Sequence, residues 1–132
     1  LNVKLKYLDA WNRKRQALAN YYDDNLSRLG VKVPFVSNYS SHIYHQYILR
    51  VPNKRDGLMN DLQEKGIDSR VFYHIPLHLQ RCFNYLGYKN GDFPEAERAA
   101  KETLAIPADP DLTGEEKKYI VSSIKEFING KN

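Results

Sequence analysis

Apolar residues recur at helical spacing through residues 1–29. This period is typical of a helix with one buried face, and its members are Leu5, Leu8, Trp11, Leu18, Tyr22, Leu26 and Leu29. Gly30 follows, and glycine is common just after a helix ends. The pattern predicts one long helix over residues 1–29. A helix of this length in so short a chain is expected to connect the domain to another one.

Alternating apolar and polar residues predict strands in the middle of the chain. Between His42 and Val51, successive side chains fall on opposite faces, as in a half-buried strand. A shorter run at residues 69–73 predicts a second strand, and residues 104–106 predict a third. The pattern changes to helical spacing after the first strand, where Asn53 is expected to cap a helix that stops at Gly66.

Three further helical segments are predicted in the second half. A short helical piece covers residues 79–86, and Asp92 is expected to cap the next helix, with Pro94 in its first turn. Thr113 and Glu116 have the spacing of a capping box for the last helix, whose inward face is Ile120, Ile124, Phe127 and Ile128. The order of elements predicts an α+β fold: a small, mostly antiparallel sheet covered by helices, in one domain of residues 1–132.

Composition excludes some classes of protein. No apolar stretch approaches the roughly 20 residues of a membrane span, and the first residues lack the separate charged and apolar regions of a signal peptide. Cys82 is the single cysteine, so no internal disulfide is possible and a reducing cytoplasm is expected. The net charge is +4, but the basic residues are interleaved with 16 acidic ones. A solvated helix surface is therefore favoured over a nucleic-acid stripe.

Motifs for catalysis or metal binding are absent from the sequence. The glycines are scattered, so there is no phosphate-binding loop, and no serine stands in a nucleophile elbow. His42 and His45 are expected to point to opposite faces of one strand and cannot share an ion. We therefore predict neither a metal site nor a catalytic residue within this chain.

The most unusual segment is residues 73–80, which places Tyr73, His74, His78 and Gln80 around Pro76, directly after a predicted strand. Ligand-contacting side chains concentrate in such loops, and a tyrosine hydroxyl and imidazoles can hydrogen-bond a polyhydroxylated ligand or its phosphates. The segment could equally be a packed turn whose polar atoms satisfy only the backbone.

Several long motifs occur in order along almost the whole chain. They are residues 4–12, residues 42–50, residues 66–71 with Tyr73 and residues 76–80, residues 86–88 with residues 91–94 and Ala96-Glu97, and residues 104–107 with Leu112-Thr113. Together they resemble the C-terminal small domain of the DegT/DnrJ/EryC1/StrS sugar aminotransferases. Two positions depart from the common pattern of that family: Phe72 stands where many members have histidine, and His74 where they have proline.

The resemblance implies a function for a longer protein. Enzymes of this family use pyridoxal 5'-phosphate (PLP) to transfer an amino group, usually from glutamate, to a keto sugar nucleotide in polysaccharide or antibiotic sugar biosynthesis. The Schiff-base lysine belongs to an N-terminal large domain outside this chain, and the whole enzyme is expected to be a cytoplasmic homodimer. This fragment alone is expected to bind no PLP and to be inactive. Its expected substrate contacts are Tyr73, His78 and Gln80.

Two other classes of function remain open from the sequence. The basic composition and the ten tyrosines allow a freestanding module that binds a regulatory ligand or single-stranded nucleic acid, because aromatic sheet faces can stack bases. A pure dimerisation domain is the other alternative. The sequence does not specify the sugar or the carbon that is aminated.

Overall fold

The computed structural model describes residues 1–130. Within them lie five α-helices, two β-strands and two short 3-10 segments. In chain order these are α1 (Asn2–Leu5), α2 (Leu8–Leu26), β1 (Tyr47–Arg50), α3 (Arg55–Glu64), the 3-10 segments Leu77–Leu79 and Arg81–Leu86, α4 (Pro94–Glu102), β2 (Thr103–Ile106) and α5 (Gly114–Ile128). The α+β fold class is confirmed.

The N-terminal helix is present but divided and shorter than predicted. The Tyr7 amide donates to the Lys4 carbonyl over 3.0 Å, which is the tighter 3-10 spacing, and α2 begins only at Leu8. The buried residues of α2 all lie in its second half and are Leu18, Ala19, Tyr22 and Leu26, whereas Leu1, Val3 and Leu5 at the start of the chain are exposed. The apolar period was therefore correct for one buried face, although that face is covered over only part of its length.

The sheet consists of β1 and β2, which pair antiparallel with Tyr47 opposite Ile106. The predicted strand over residues 42–51 is too long. Tyr44 has a φ of 49°, outside extended geometry, and its amide donates to His42 Nδ1 over 2.8 Å. This local bond holds the chain in a turn, so extended backbone begins only at Tyr47.

The second predicted strand, residues 69–73, is also reduced. It survives as one antiparallel bridge between Arg70 and Ala105, with both backbone bonds made, at 3.0 Å and 2.7 Å. The third predicted strand is confirmed as β2. The sheet is thus smaller than the alternation of side chains suggested, because single bridges replace full ladders at its edges.

The core lies between the sheet and the helices. Its most deeply buried aliphatic residues, all at 0% exposure, are Leu26, Leu49, Leu58, Leu62, Leu104 and Ile124. Each such side chain contributes about 1.5–3 kcal/mol through the removal of apolar surface from water. The predicted inward face of α5 is correct for Ile120 and Ile124, which are buried, whereas Phe127 and Ile128 are half-buried against the cluster.

The helix starts were predicted with mixed success. The capping box is confirmed: Thr113 Oγ1 accepts from the Glu116 amide over 3.2 Å, and Glu116 Oε2 accepts from the Thr113 amide over 2.7 Å. The amide of Thr113 lowers the pKa of Glu116, and the short range of the motif explains why it could be read from sequence.

Two other predicted caps were wrong. Asn53 has a φ of 61°, so Lys54 is the N-cap residue of α3. Asp92 uses its carboxylate to accept from the Lys89 amide over 2.8 Å, so Phe93 takes the N-cap position of α4 and Pro94 is its first residue. The Asp92 carboxylate thus bonds the turn before α4, and the backbone of Asn53 belongs to the turn before α3, so neither residue caps its helix. Among residues 1–130, no helix is both long and apolar enough to cross a membrane.

Candidate functional site

Residues 72–88 cross one side of the small sheet without forming a strand. Pro76 has φ −57° and ψ 147°, and its carbonyl accepts from the Leu79 amide over 3.0 Å. The chain continues into the second 3-10 segment, which ends at Gly87 with φ 74°, a left-handed conformation that suits glycine. Pro76 thus precedes the first 3-10 segment of the loop and Gly87 follows the second.

The loop forms one wall of an open groove of about 600 Å³. The opposite wall is α4, and Ile48 of β1 contributes to the base. The lining is almost entirely apolar or aromatic, and it includes Phe72, Tyr73, Leu77, Tyr88, Phe93 and Ala99. Ligand sites are typically concave surfaces of this kind, with a few polar groups that give orientation. This groove is the candidate functional site.

Tyr73 is the most exposed of the predicted site residues that line the groove. Its residue exposure is 72%, and its ring packs edge-on against Phe72 with 6.1 Å between the centroids. Within residues 1–130, no hydrogen bond is made by its hydroxyl. The hydroxyl is therefore free to donate to or accept from a ligand that enters the groove.

His78 also lines the groove, but its side chain is only 7% exposed. Its Nε2 lies 3.0 Å from Oε1 of Glu97, and its ring lies against Phe93 with 4.8 Å between the centroids. The imidazole is therefore held on two sides by α4 and the residue before it. Of its two ring nitrogens, Nε2 is occupied within the chain.

Gln80 lies outside the lining of the groove. Its amide nitrogen donates to the Ile75 carbonyl over 3.4 Å, and its amide oxygen accepts from the Cys82 thiol over 3.9 Å. Both contacts are long, and both lie within the loop itself. The structure thus brings Tyr73 and His78 to one groove, whereas Gln80 belongs to the turn behind them; its proposed substrate contact stays a prediction.

Glu97 lies within the matching segment Ala96-Glu97, but nothing in the sequence around it indicates a role in the site. Glu97 is only 7% exposed, and its Oε1 accepts from the Gly91 amide over 2.8 Å and from the Phe93 amide over 3.4 Å, besides its contact with His78. The Gly91 amide, followed by His78 and the Phe93 amide, lowers the pKa of Glu97 against the opposing effect of burial. His78 and Glu97 are 19 positions apart, so no local pattern reveals their contact.

The polar side chains that line the groove are Tyr73, His78, Tyr88 and Thr103. No lysine is among its lining residues, and within residues 1–130 no three histidine, cysteine or acidic side chains are placed to hold a metal ion. This arrangement is suited to binding: the apolar surface can cover a ligand, and the Tyr73 hydroxyl and the His78 imidazole are groups that can hydrogen-bond it.

Comparison with protein families decides the class. The model of the DegT/DnrJ/EryC1/StrS aminotransferase family matches residues 1–125. The chain belongs to this family. Among curated relatives, the pleiotropic regulatory protein of Geobacillus stearothermophilus is 45% identical over 130 residues, which are 96% of this chain and 35% of the relative. The dTDP-3-amino-3,4,6-trideoxy-alpha-D-glucose transaminase of Streptomyces venezuelae is 30% identical over 128 residues, which are 96% of this chain and 34% of that enzyme.

Solved structures of family members have the same fold. DesV of S. venezuelae, in complex with a ketimine intermediate, superposes with a TM-score of 0.91 at 29% identity, over 96% of this chain and 34% of DesV. An aminotransferase of the family from Brucella abortus gives 0.87 at 32% identity, over 96% of this chain and 34% of that protein. NtdA of Bacillus subtilis, with bound cofactor PMP, gives 0.76 at 26% identity, over 89% of this chain and 28% of NtdA. The chain thus spans about a third of the length of these relatives.

Proposed function

We propose that this chain is the C-terminal small domain of a PLP-dependent sugar aminotransferase, and that it forms one wall of the active site. The observation that carries the proposal is the superposition on DesV over 96% of this chain with a TM-score of 0.91, together with the family match over residues 1–125. The reaction of the whole enzyme is the transfer of an amino group from glutamate to a keto group of a nucleotide-linked sugar.

In this proposal the groove recognises the sugar nucleotide. Its aromatic and aliphatic lining removes water from one face of the ligand, and the free hydroxyl of Tyr73 hydrogen-bonds the sugar or its phosphates. One such bond contributes about 0.5–1.5 kcal/mol, or up to about 3 kcal/mol with a charged partner. Phe72 lies beside Tyr73 and cannot make a hydrogen bond, so its contribution to the groove is its apolar surface.

We propose that this chain alone does not make the PLP site. A PLP aminotransferase needs a lysine amine at the cofactor, and the groove is lined by none. We therefore place the cofactor, the Schiff-base lysine and the acidic partner of the pyridine nitrogen in a large domain elsewhere in the polypeptide. The chain alone is proposed to be inactive, and the complete enzyme to be a homodimer.

The proposed cellular context is the cytoplasm, in the biosynthesis of surface polysaccharides or antibiotic sugars. Cys82 is exposed and unpaired, which suits a reducing compartment. The relative from S. venezuelae acts on a dTDP-linked amino sugar, as its name states. A nucleoside-diphosphate sugar is accordingly the class of substrate that we propose.

The proposal is tested by comparing the complete polypeptide with this chain alone. The complete polypeptide should carry PLP on one lysine and should transfer the amino group of glutamate to a keto sugar nucleotide. This chain, mixed with PLP and treated with borohydride, should show no stoichiometric labelling of a single lysine. Such labelling, or transamination by the isolated chain, would contradict the proposed division of roles between the two parts.

A freestanding nucleic-acid-binding module gains little support from the sheet. Tyr47 of β1 is 1% exposed, so its ring is not available to stack on a base. Titration of the chain with fluorescent single-stranded DNA or RNA at low salt provides the direct comparison. Binding that weakens steeply as salt is added would favour this alternative over the small-domain proposal.

A further inference from the structure

Glu97 joins three parts of the chain at the edge of the groove. It lies in the first turn of α4, and its Oε1 receives the Gly91 amide, the Phe93 amide and Nε2 of His78 at 2.8, 3.4 and 3.0 Å. The side chains of His78 and Glu97 are 7% and 9% exposed. Water therefore competes weakly for these bonds, and the carboxylate holds the loop around His78 against the start of α4.

The charge on Glu97 determines where the shared proton lies. Donation from the Gly91 amide, with smaller contributions from His78 and the Phe93 amide, lowers the pKa of Glu97 from its ordinary value of 4.5. The carboxylate is therefore ionised at neutral pH, and an ionised carboxylate can only accept hydrogen bonds. The proton between the two side chains must consequently be on Nε2 of His78.

With the proton on Nε2, Nδ1 is the ring nitrogen left to contact a ligand. In a neutral imidazole one nitrogen donates and the other accepts. Within residues 1–130, no hydrogen bond is made by Nδ1 of His78. Contact with Phe93 at 4.8 Å between the centroids restricts rotation of the ring. A hydrogen bond on one ring nitrogen that fixes the tautomer and orientation for the other is the arrangement by which carboxylates position histidine ligands.

We propose that His78 is a neutral imidazole in this site and that Glu97 is its positioning residue: the Glu97 carboxylate holds the ring through Nε2, so that Nδ1 accepts a hydrogen bond from a hydroxyl of the bound sugar. The second part rests on the proposed function, because it assumes that a sugar nucleotide enters the groove. The first part concerns the chain alone. In this arrangement His78 donates from Nε2 and accepts at Nδ1. His78 makes the ligand contact, and Glu97 orients His78.

The test begins with the unliganded chain labelled with ¹⁵N-histidine. Ring N–H protons of exposed histidines exchange with water too fast to observe, whereas the His78 Nε2–H should give a persistent proton–nitrogen correlation. His78→Gln should remove this signal, which assigns it. Glu97→Gln keeps an oxygen for the same three donors and should retain the signal, whereas Glu97→Ala should lose it. A wild-type spectrum without this resonance, with the proton on Nδ1, or with protons on both ring nitrogens would overturn the inference without any variant.

The functional part is measured in the complete enzyme. Glu97→Ala should lower kcat/KM of the sugar half-reaction by several-fold to about a hundredfold, and Glu97→Gln should restore most of the loss, while the glutamate half-reaction stays within about twofold in both. His78→Gln keeps a donor toward Glu97 but lacks Nδ1, so it should impair the sugar half-reaction even though the fold is intact. This variant decides the case if Glu97→Ala does not fold.

The outcomes separate the inference from the proposed function. If Glu97→Ala loses the ring proton but leaves the sugar half-reaction unchanged, Glu97 is structural and the positioning role is wrong. An unchanged sugar half-reaction in His78→Gln would remove Nδ1 from the site. If the wild-type enzyme transfers no amino group to any keto sugar nucleotide, the proposed function fails. The ring-proton measurement then still shows whether His78 donates a hydrogen bond to Glu97.

Discussion

Tyr47 on β1 donates a hydrogen bond from its hydroxyl to Oδ1 of Asp23 on α2 over 2.5 Å. Tyr47 is 1% exposed and Asp23 is half-buried, so this bond connects the sheet to the long helix at the edge of the core. Its ring also packs edge-on against Tyr22, with 5.0 Å between the centroids. The N-terminal helix is thus held to the sheet by a polar contact as well as by its apolar face.

Replacing Tyr47 with phenylalanine removes this bond and keeps the ring. Bonds to charged groups contribute about 1.5–3 kcal/mol, and Tyr47→Phe should lower the free energy of unfolding by that amount in urea denaturation. The matched control is Tyr119→Phe, because the exposed Tyr119 hydroxyl makes only a 3.3 Å bond to the Lys65 carbonyl; its effect should stay within about 0.5 kcal/mol. Equal losses in the two variants would contradict a special role for the Tyr47–Asp23 bond.

The same contact predicts how stability changes at alkaline pH. Burial first, and then the bond to Asp23, raise the pKa of Tyr47 above its ordinary value of 10.0. Above about pH 10 the unfolded chain therefore loses this proton while the folded chain keeps it. Stability is fully present below pH 10 and falls as pH rises, by up to about 1.4 kcal/mol per pH unit for each such group.

Denaturant titrations between pH 9 and 11 measure this slope. Tyr22 contributes in the same direction, because burial also raises its pKa. Tyr47→Phe should make the decline shallower, whereas Tyr119→Phe should leave it unchanged. A decline of equal steepness in wild type and Tyr47→Phe would show that the Tyr47 hydroxyl does not titrate differently in the two states.

Gly57 on α3 faces the ring of Phe127 on α5. A Cβ at Gly57 would lie 3.0 Å from Cζ of Phe127, which is closer than packed carbon atoms normally approach. Alanine is favoured over glycine within helices by about 1 kcal/mol, but overpacking costs about 1–3 kcal/mol. Gly57→Ala should therefore fail to stabilise the chain, and it should stabilise by about 0.5–1 kcal/mol in a Phe127→Leu background.

A double-mutant cycle with four denaturation curves measures this coupling. The expected interaction energy between the two substitutions is about 1–2 kcal/mol, within the range for contacting residues. Effects that add within about 0.3 kcal/mol would mean that the Phe127 ring moves aside at little cost, and that Gly57 is not required by packing.

The capping box of α5 was predicted correctly from the sequence, whereas the caps of α3 and α4 were not. Thr113 and Glu116 lie three positions apart and satisfy each other directly, so their geometry depends on little else. The first strand was predicted too long because the Tyr44 amide bonds the His42 ring, which keeps this part of the chain out of extended geometry. The alternation of apolar and polar residues gives no sign of such a bond. The break before α2 likewise depends on a tighter backbone turn at Tyr7 rather than on any glycine or proline.

Residues of the candidate site that lie close together in the sequence could be predicted, whereas a contact between distant residues could not. Tyr73 and His78 could be singled out because they surround Pro76 in one short stretch, and the structure places both at the groove. Gln80 was chosen by the same proximity, yet its side chain turns back to Ile75. Glu97 was missed as a site residue because its contact with His78 spans 19 positions and exists only once α4 packs against the loop. Long-range pairs of this kind require the fold to be known.

We propose that this groove binds the sugar substrate of an aminotransferase, and the two half-reactions of the complete enzyme show whether it does. Tyr73→Phe should lower kcat/KM for the keto sugar nucleotide by several-fold to about a hundredfold, because a hydrogen bond of about 0.5–3 kcal/mol is lost. The glutamate half-reaction should be nearly unchanged. Tyr85→Phe is the control, since Tyr85 is exposed and does not line the groove. Equal losses in both half-reactions, or no loss with the sugar, would contradict the claim.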